Sequence, residues 1–236
     1  QVEHTITEAV TGVDLVQAQL ALAAGQSLRE LGLNPDQPPA PEGYAVQWRI
    51  NAETLDASGG AVPGSGTLAR FDLPAGPGVR VDTHGVAGAA PSPHYDTLLA
   101  KLIVHTRGPR FADALRRSQR ALQECRITGV ATNLGLLQAL AERPEMASQQ
   151  VHTRWLESVL PQLLSAMKNV AIEAYAERGE GQKTLNSSAP PPAGAVLAPM
   201  PARVVQLSVA EGDVVAAGAE LAVLEAMKME HVLLAP

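Results

Sequence analysis

Residues 186–195 read NSSAPPPAGA. Three consecutive prolines lack backbone N–H donors and have a fixed φ, so neither a helix interior nor a central strand can run through them. The stretch predicts a linker of extended character. From residue 159 to residue 194, this stretch included, the chain is rich in Ala, Glu and Ser. We therefore expect three regions: a mixed helix-and-strand segment over 1–158, a helix followed by a flexible Pro/Ser linker over 159–194, and a short strand-rich segment over 195–236. The linker is expected to be mobile from about Ala176 to Gly194, and open to trypsin between Arg178 and Lys183.

The long segment has enough apolar residues for a core, since 46% of the chain is hydrophobic. Aromatics are only 3%, so that core must be built from Ala, Val and Leu. A formal net charge of −6 argues against nucleic acid or an anionic membrane as the main partner. Cys125 is the single cysteine, which excludes an intramolecular disulfide and a cysteine-based zinc site and suits a reducing cytoplasm. No run of about 18 apolar residues is present to span a membrane. The sequence opens without Met or the pattern of a signal peptide, and reads as a piece of a longer protein.

Elements of the first region are legible. Thr11-Gly12-Val13-Asp14 has the form of a capping box, followed by Val13, Val16 and Leu20 at helical spacing and by Gly25 as a stop. YAVQWRI (44–50), GTLARFDLP (66–74), GVRVDT (78–83) and LLAKLIVHT (98–106) read as strands. Phe111, Leu115, Ser118, Leu122 and Cys125 form one face of a helix, with Arg116, Arg117 and Arg120 as solvated decoration. Strands and helices mixed in this order predict an α+β fold.

In the last region RVVQLSV (203–209) is a strand pattern, with Val205, Leu207 and Val209 on one side, and EGD (211–213) is a turn. VVAAGAELAVLEAM gives a short run, a Gly turn and another strand. AMKM (226–229) falls where a tight turn should join that strand to EHVLLAP. A lysine at a hairpin tip presents an amine to solvent on a rigid platform, which suits covalent attachment of a long cofactor.

EAMKME, preceded by APMPARVVQLSVAEGDVVAAGAELAVL, resembles the biotinyl domain of biotin-dependent carboxylases, a lipoyl-like hammerhead of which residues 195–236 would form part. The resemblance implies that Lys228, flanked by Met227 and Met229, receives biotin from a biotin protein ligase. Lipoyl domains are similar but usually carry Asp before the lysine and Ala after it. The family usually has Gly at the position of Ala202, where it permits a turn with positive φ.

QVEHTITEAVTGVDLVQAQLALAAGQ, AVQWRINAE, PAGPGVRVDTHGVAG, PHYDTLLAKLIVH and RITGVATNLGLL resemble, in order, the C-terminal part of the biotin carboxylase domain, an ATP-grasp enzyme. The resemblance implies a ligase that activates bicarbonate with ATP and carboxylates biotin. Glu3 matches the general base that takes the bicarbonate proton. Gln1 and the backbone of Val2 match bicarbonate contacts. Arg49 matches the guanidinium that stabilises the enolate-like oxyanion of biotin and touches bicarbonate. His4 is expected to be packed or hydrogen-bonded rather than catalytic. Arg80 and Asp96 match positions near a subunit interface, which implies a homo-oligomer.

The same resemblance implies that ATP and Mg2+ or Mn2+ are bound mainly by residues before Gln1, so the isolated piece is expected to be inactive, with no metal ligand of its own. Residues 159–194 are too few for a further domain, and the layout resembles single-chain acyl-CoA carboxylases. A carboxyltransferase domain or subunit is the implied partner, and there the acyl-CoA or related acceptor would bind. The alternative is a non-catalytic biotin or lipoyl carrier with a scaffold domain.

Overall fold

The computed structural model describes residues 3–56, 59–92, 95–164, 195–198, 202–226 and 229–236. Of the helix and linker expected over 159–194, residues 165–194 lie outside the described residues, as do its predicted trypsin sites and the site residues Gln1, Val2 and Lys228.

The fold is α+β. Two helices, α1 (His4–Thr11) and α2 (Leu15–Ala23), precede β1 (Tyr44–Asn51), β2 (Glu53–Leu55), β3 (Ala61–Pro63), β4 (Gly66–Asp72), β5 (Val79–Thr83) and β6 (Leu98–Thr106). Then come α3 (Phe111–Glu124), β7 (Arg126–Val130), α4 (Leu134–Ala141) and the short α5 (Pro144–Ala147). Residues 155–164 form a further helical stretch, whose Val159 and Leu163 are buried with Leu136 of α4.

β1, β6 and β5 form one antiparallel sheet with β6 in the middle. Side chains alternate across a strand, so β1 divides its residues between two environments. Trp48 and Ile50 are buried with Leu102 and Val104 of β6, Leu115 and Leu122 of α3, and Leu137 of α4. Burial of each large side chain contributes about 1.5–3 kcal/mol. The α3 stripe read from the sequence is the face that lies on this core, with Leu115, Ser118 and Leu122 buried. On its other side Arg120 pairs with Glu124, while Arg117 turns inward and donates to the His105 carbonyl at 2.7 Å.

Two close approaches require glycine. Gly43 has φ +73°, and a Cβ there would sit 1.9 Å from the Thr106 carbonyl oxygen, at the start of the β1–β6 ladder. Gly129, φ +90°, presses on the Thr67 carbonyl where β7 pairs with β4.

The expected capping box is corrected. Thr11 ends α1 rather than capping α2, and Gly12 adopts a left-handed C-cap with φ 72°. α2 begins one turn later, with the Asp14 carboxylate accepting from Gln17 N–H at 2.8 Å. Asp fails as the acid of a box here because it is itself the N-cap. The apolar face of α2 is not part of the core, since Val16 and Leu20 are 57% and 67% exposed.

In the last region β8 (Arg203–Leu207), β9 (Glu220–Ala226) and β10 (Met229–Leu234) form an antiparallel sheet with β9 in the middle. Ala222 and Leu224 of β9 are buried. Asp213 closes the EGD turn by accepting from Ala210 N–H at 2.8 Å. A register shift between Val204 and Gln206 interrupts the one-sided alternation expected for β8, and the whole strand is exposed. Gln149 is the non-glycine residue with positive φ among those described, so Ala202 carries no left-handed strain. Among the described residues no helix is long and apolar enough to cross a membrane.

Candidate functional site

The face of β1 opposite the core carries Gln47, Arg49 and Asn51. In the β1–β6 register Arg49 lies directly across from Lys101. Like charges placed opposite each other on paired strands repel, so each needs compensation. Both have it. Arg49 Nη2 is 3.2 Å from Asp96 Oδ2, and Lys101 Nζ is 3.4 Å from Glu3 Oε1. Asp96 is itself held, with its other oxygen accepting from Leu98 N–H at 2.9 Å.

Glu3 arrives from α1, where it occupies the N-cap with extended backbone and makes no capping bond to the helix. Its carboxylate is therefore available to the sheet. α1 is fixed at both ends. The buried Thr5 hydroxyl donates to Gln47 Oε1 of β1. Glu8 accepts from Arg80 of β5 at 2.6 Å and from Leu15 N–H at 3.3 Å. Arg80 also grips Asp82, with two bonds of 2.8 Å, and these bonds together with the one to Glu8 hold the guanidinium firmly protonated.

Partial burial raises the pKa of Glu3, but the Lys101 hydrogen bond and charge, with the His4 charge and Gln47, outweigh it and hold the carboxyl below its usual range. His4 Nε2 lies 3.4 Å from Lys101 Nζ and 3.6 Å from Glu3 Oε1, a hydrogen-bonding position as expected for it.

The free edge of β1 is closed by one side chain. Asn133, at the head of α4, accepts from Asn51 N–H through Oδ1 at 2.9 Å and donates through Nδ2 to the Arg49 carbonyl at 3.1 Å. Its own N–H donates to the Asn51 carbonyl at 3.1 Å. Three bonds thus hold the backbone that bears Arg49. A cleft of about 410 Å³ opens alongside, lined by Gln47, Arg49 and Asn51 together with Leu136, Leu140 and Leu156. Among the described residues no group of three or more His, Cys, Asp or Glu side chains is placed to hold a metal ion.

Of the residues expected to act, Glu3 and Arg49 lie on this face, Glu3 paired with Lys101 and Arg49 with Asp96. Gln1, Val2 and Lys228 lie outside the described residues. The β9–β10 register pairs Ala226 with Met229. The sequence reading missed Lys101, Gln47 and Asn133. Lys101 had a signal: it is the lone charge inside the apolar strand LLAKLIVHT, as Arg49 is inside YAVQWRI.

Residues 47–158 match the biotin carboxylase C-terminal domain, residues 194–236 the biotin-requiring enzyme family, and residues 1–31 the ATP-binding domain of the carbamoyl-phosphate synthase L chain. The chain belongs to the biotin-dependent carboxylases. Within them it combines the end of a biotin carboxylase domain with biotinyl-domain sequence. It is 33% identical to the biotin-dependent acyl-coenzyme A carboxylase alpha3 subunit of Mycobacterium leprae, over 98% of this chain and 45% of that protein. A solved single-chain, multi-domain long-chain acyl-CoA carboxylase is 42% identical with a TM-score of 0.67, covering 100% of this chain and 24% of that one. The biotin carboxylase domain of a thermophilic 2-oxoglutarate carboxylase, solved bound to bicarbonate, is 37% identical with a TM-score of 0.62, covering 69% of this chain and 35% of that one. The chain therefore spans less than half the length of these relatives.

Proposed function

We propose that this chain forms part of an ATP- and bicarbonate-dependent biotin carboxylase together with its carrier segment, and that Glu3 and Arg49 act in the reaction. The observation that carries the reading is the β1–β6 face: two opposed cations, Arg49 and Lys101, with the Glu3 carboxylate beside them. Such a face attracts a small anion and offers it a proton acceptor. Glu3 takes the bicarbonate proton, so that the oxygen can attack the terminal phosphorus of ATP and displace ADP. Gln1 and the Val2 backbone contact the anion. Arg49 stabilises the negative charge that develops on the biotin ureido oxygen, and its guanidinium cannot lose its own proton in doing so.

Lys228 would carry biotin, whose ureido nitrogen would lose its proton and take up the carboxyl group of carboxyphosphate as phosphate leaves. A biotin protein ligase loads it, and a carboxyltransferase domain or subunit receives the carboxyl group for an acyl-CoA or related acceptor. ATP and its divalent metal are held mainly by residues outside this chain. The full-length protein is a homo-oligomer in the cytoplasm on this reading.

The test is bicarbonate-dependent ATP hydrolysis coupled to biotin carboxylation in the full-length protein. Glu3→Gln keeps the shape and removes the proton acceptor, and Arg49→Ala removes the oxyanion partner. Each lowers the rate by about two orders of magnitude or more. Near-normal turnover in either variant refutes the role given to that residue.

A further inference from the structure

We propose that Lys101 is a positioning residue for the reaction: its ammonium fixes one oxygen of Glu3 and leaves the other to receive the bicarbonate proton. The inference rests on the reading of Glu3 as the base. Its geometry comes from two elements. β6 places Lys101 in the centre of a rigid sheet, with apolar Ala100 and Leu102 on either side turned into the core. α1 places Glu3 at its first turn, and that helix is tied down through Thr5–Gln47 and Glu8–Arg80. Lys101 Nζ stands 3.4 Å from Glu3 Oε1, and the Lys101 side chain is only 18% exposed.

The charges around Glu3 divide by element. α1 contributes His4, β6 contributes Lys101, and β1 contributes the neutral Gln47. Arg49, across the ladder from Lys101, is engaged by Asp96. Lys101 is thus the cation bonded to Glu3, at 3.4 Å, while His4 Nε2 stands farther off at 3.6 Å. A carboxylate bonded in this way stays ionised in mildly acidic solution and presents its second oxygen in one orientation. An ammonium is suited to this because it has three donors and no acceptor, so it cannot compete with Glu3 for the proton.

The experiment is the pH profile of bicarbonate-dependent ATP hydrolysis in the full-length protein, with Lys101→Met and Lys101→Arg. Methionine keeps an unbranched stem and suits a strand flanked by core residues. Removing the cation raises the Glu3 pKa, so the acid limb of the Lys101→Met profile moves to higher pH. Its loss at the acid end is about tenfold greater than at the alkaline end. Lys101→Arg restores the position of the limb. In a Glu3→Gln background, Lys101→Met has no further effect on rate. An unmoved limb in Lys101→Met, or an undiminished effect in the Glu3→Gln background, overturns the role of Lys101 while leaving Glu3 as the base. A fully active Glu3→Gln variant overturns both.

Discussion

Asn133→Ala tests the idea that a side chain, rather than a neighbouring strand, holds the free edge of the β1–β6–β5 sheet. The substitution removes the bond from Asn51 N–H to Oδ1 and the bond from Nδ2 to the Arg49 carbonyl, of 2.9 Å and 3.1 Å. The bond from the Asn133 backbone N–H to the Asn51 carbonyl survives. Each lost bond is worth about 0.5–1.5 kcal/mol net, and the Asn51 amide is left partly shielded without an acceptor. The sum is about 2 kcal/mol, on the order of 30-fold in a local opening equilibrium. Hydrogen exchange of the peptide covering β1 in the full-length protein reads this directly. Exchange there should rise by about that factor, while the α3 peptide, on the far side of the core, is unchanged. Because Arg49 is re-aimed rather than removed, turnover should fall with little change in KM for ATP. Exchange of β1 within about twofold of the parent would refute the clamp.

Three further outcomes are expected. Lys228→Arg in the full-length protein, co-expressed with a biotin ligase, should abolish the streptavidin signal, because a guanidinium is a poor acyl acceptor; a surviving signal moves the attachment site. Burial pushes the Cys125 thiol up to about 11. A raised folded pKa means that the folded state keeps its proton longer, so this contribution to stability is complete below the ordinary thiol range near 8.5 and declines as pH rises towards about 11. Cys125 should accordingly resist iodoacetamide at pH 8 until the domain unfolds, and rapid labelling of the native protein would contradict its burial. Gly43→Ala combines a left-handed φ with a clash on the Thr106 carbonyl, and should cost at least about 2 kcal/mol, seen as a lowered melting temperature of the carboxylase region; an unchanged melting temperature would refute it.

The strands β1, β4, β5 and β6 and the helix α3 were legible because their apolar periods are strong and their ends are marked by Gly or Pro. α1 was not. Its residues HTITEAVT are short and rich in β-branched side chains, which are poor helix formers. It exists through contacts made far along the chain, Thr5 with Gln47 and Glu8 with Arg80. α2 was legible as a helix but not in its exposure, since periodicity gives a face without saying what covers it. The site shows the same division. Glu3 and Arg49 could be matched one at a time by local motif. The Arg49–Lys101 opposition and the Asn133 clamp depend on strand register and on a residue 84 positions away, which no local pattern states.

The double duty of β1 has a consequence for how this protein can change length. Trp48 and Ile50 face the core while Gln47, Arg49 and Asn51 face the site, so one inserted or deleted residue within the strand would exchange the two sets. Charge would enter the core. A compensating slip is blocked at both ends, by Gly43 against Thr106 and by Asn133 on Asn51. Substitutions along Tyr44–Asn51 can therefore be graded in effect, whereas single-codon insertions and deletions there should behave as all-or-none lesions. In a deep indel scan β1 should stand out as a gap, even beside strands that are equally buried but carry no chemistry on their outer face.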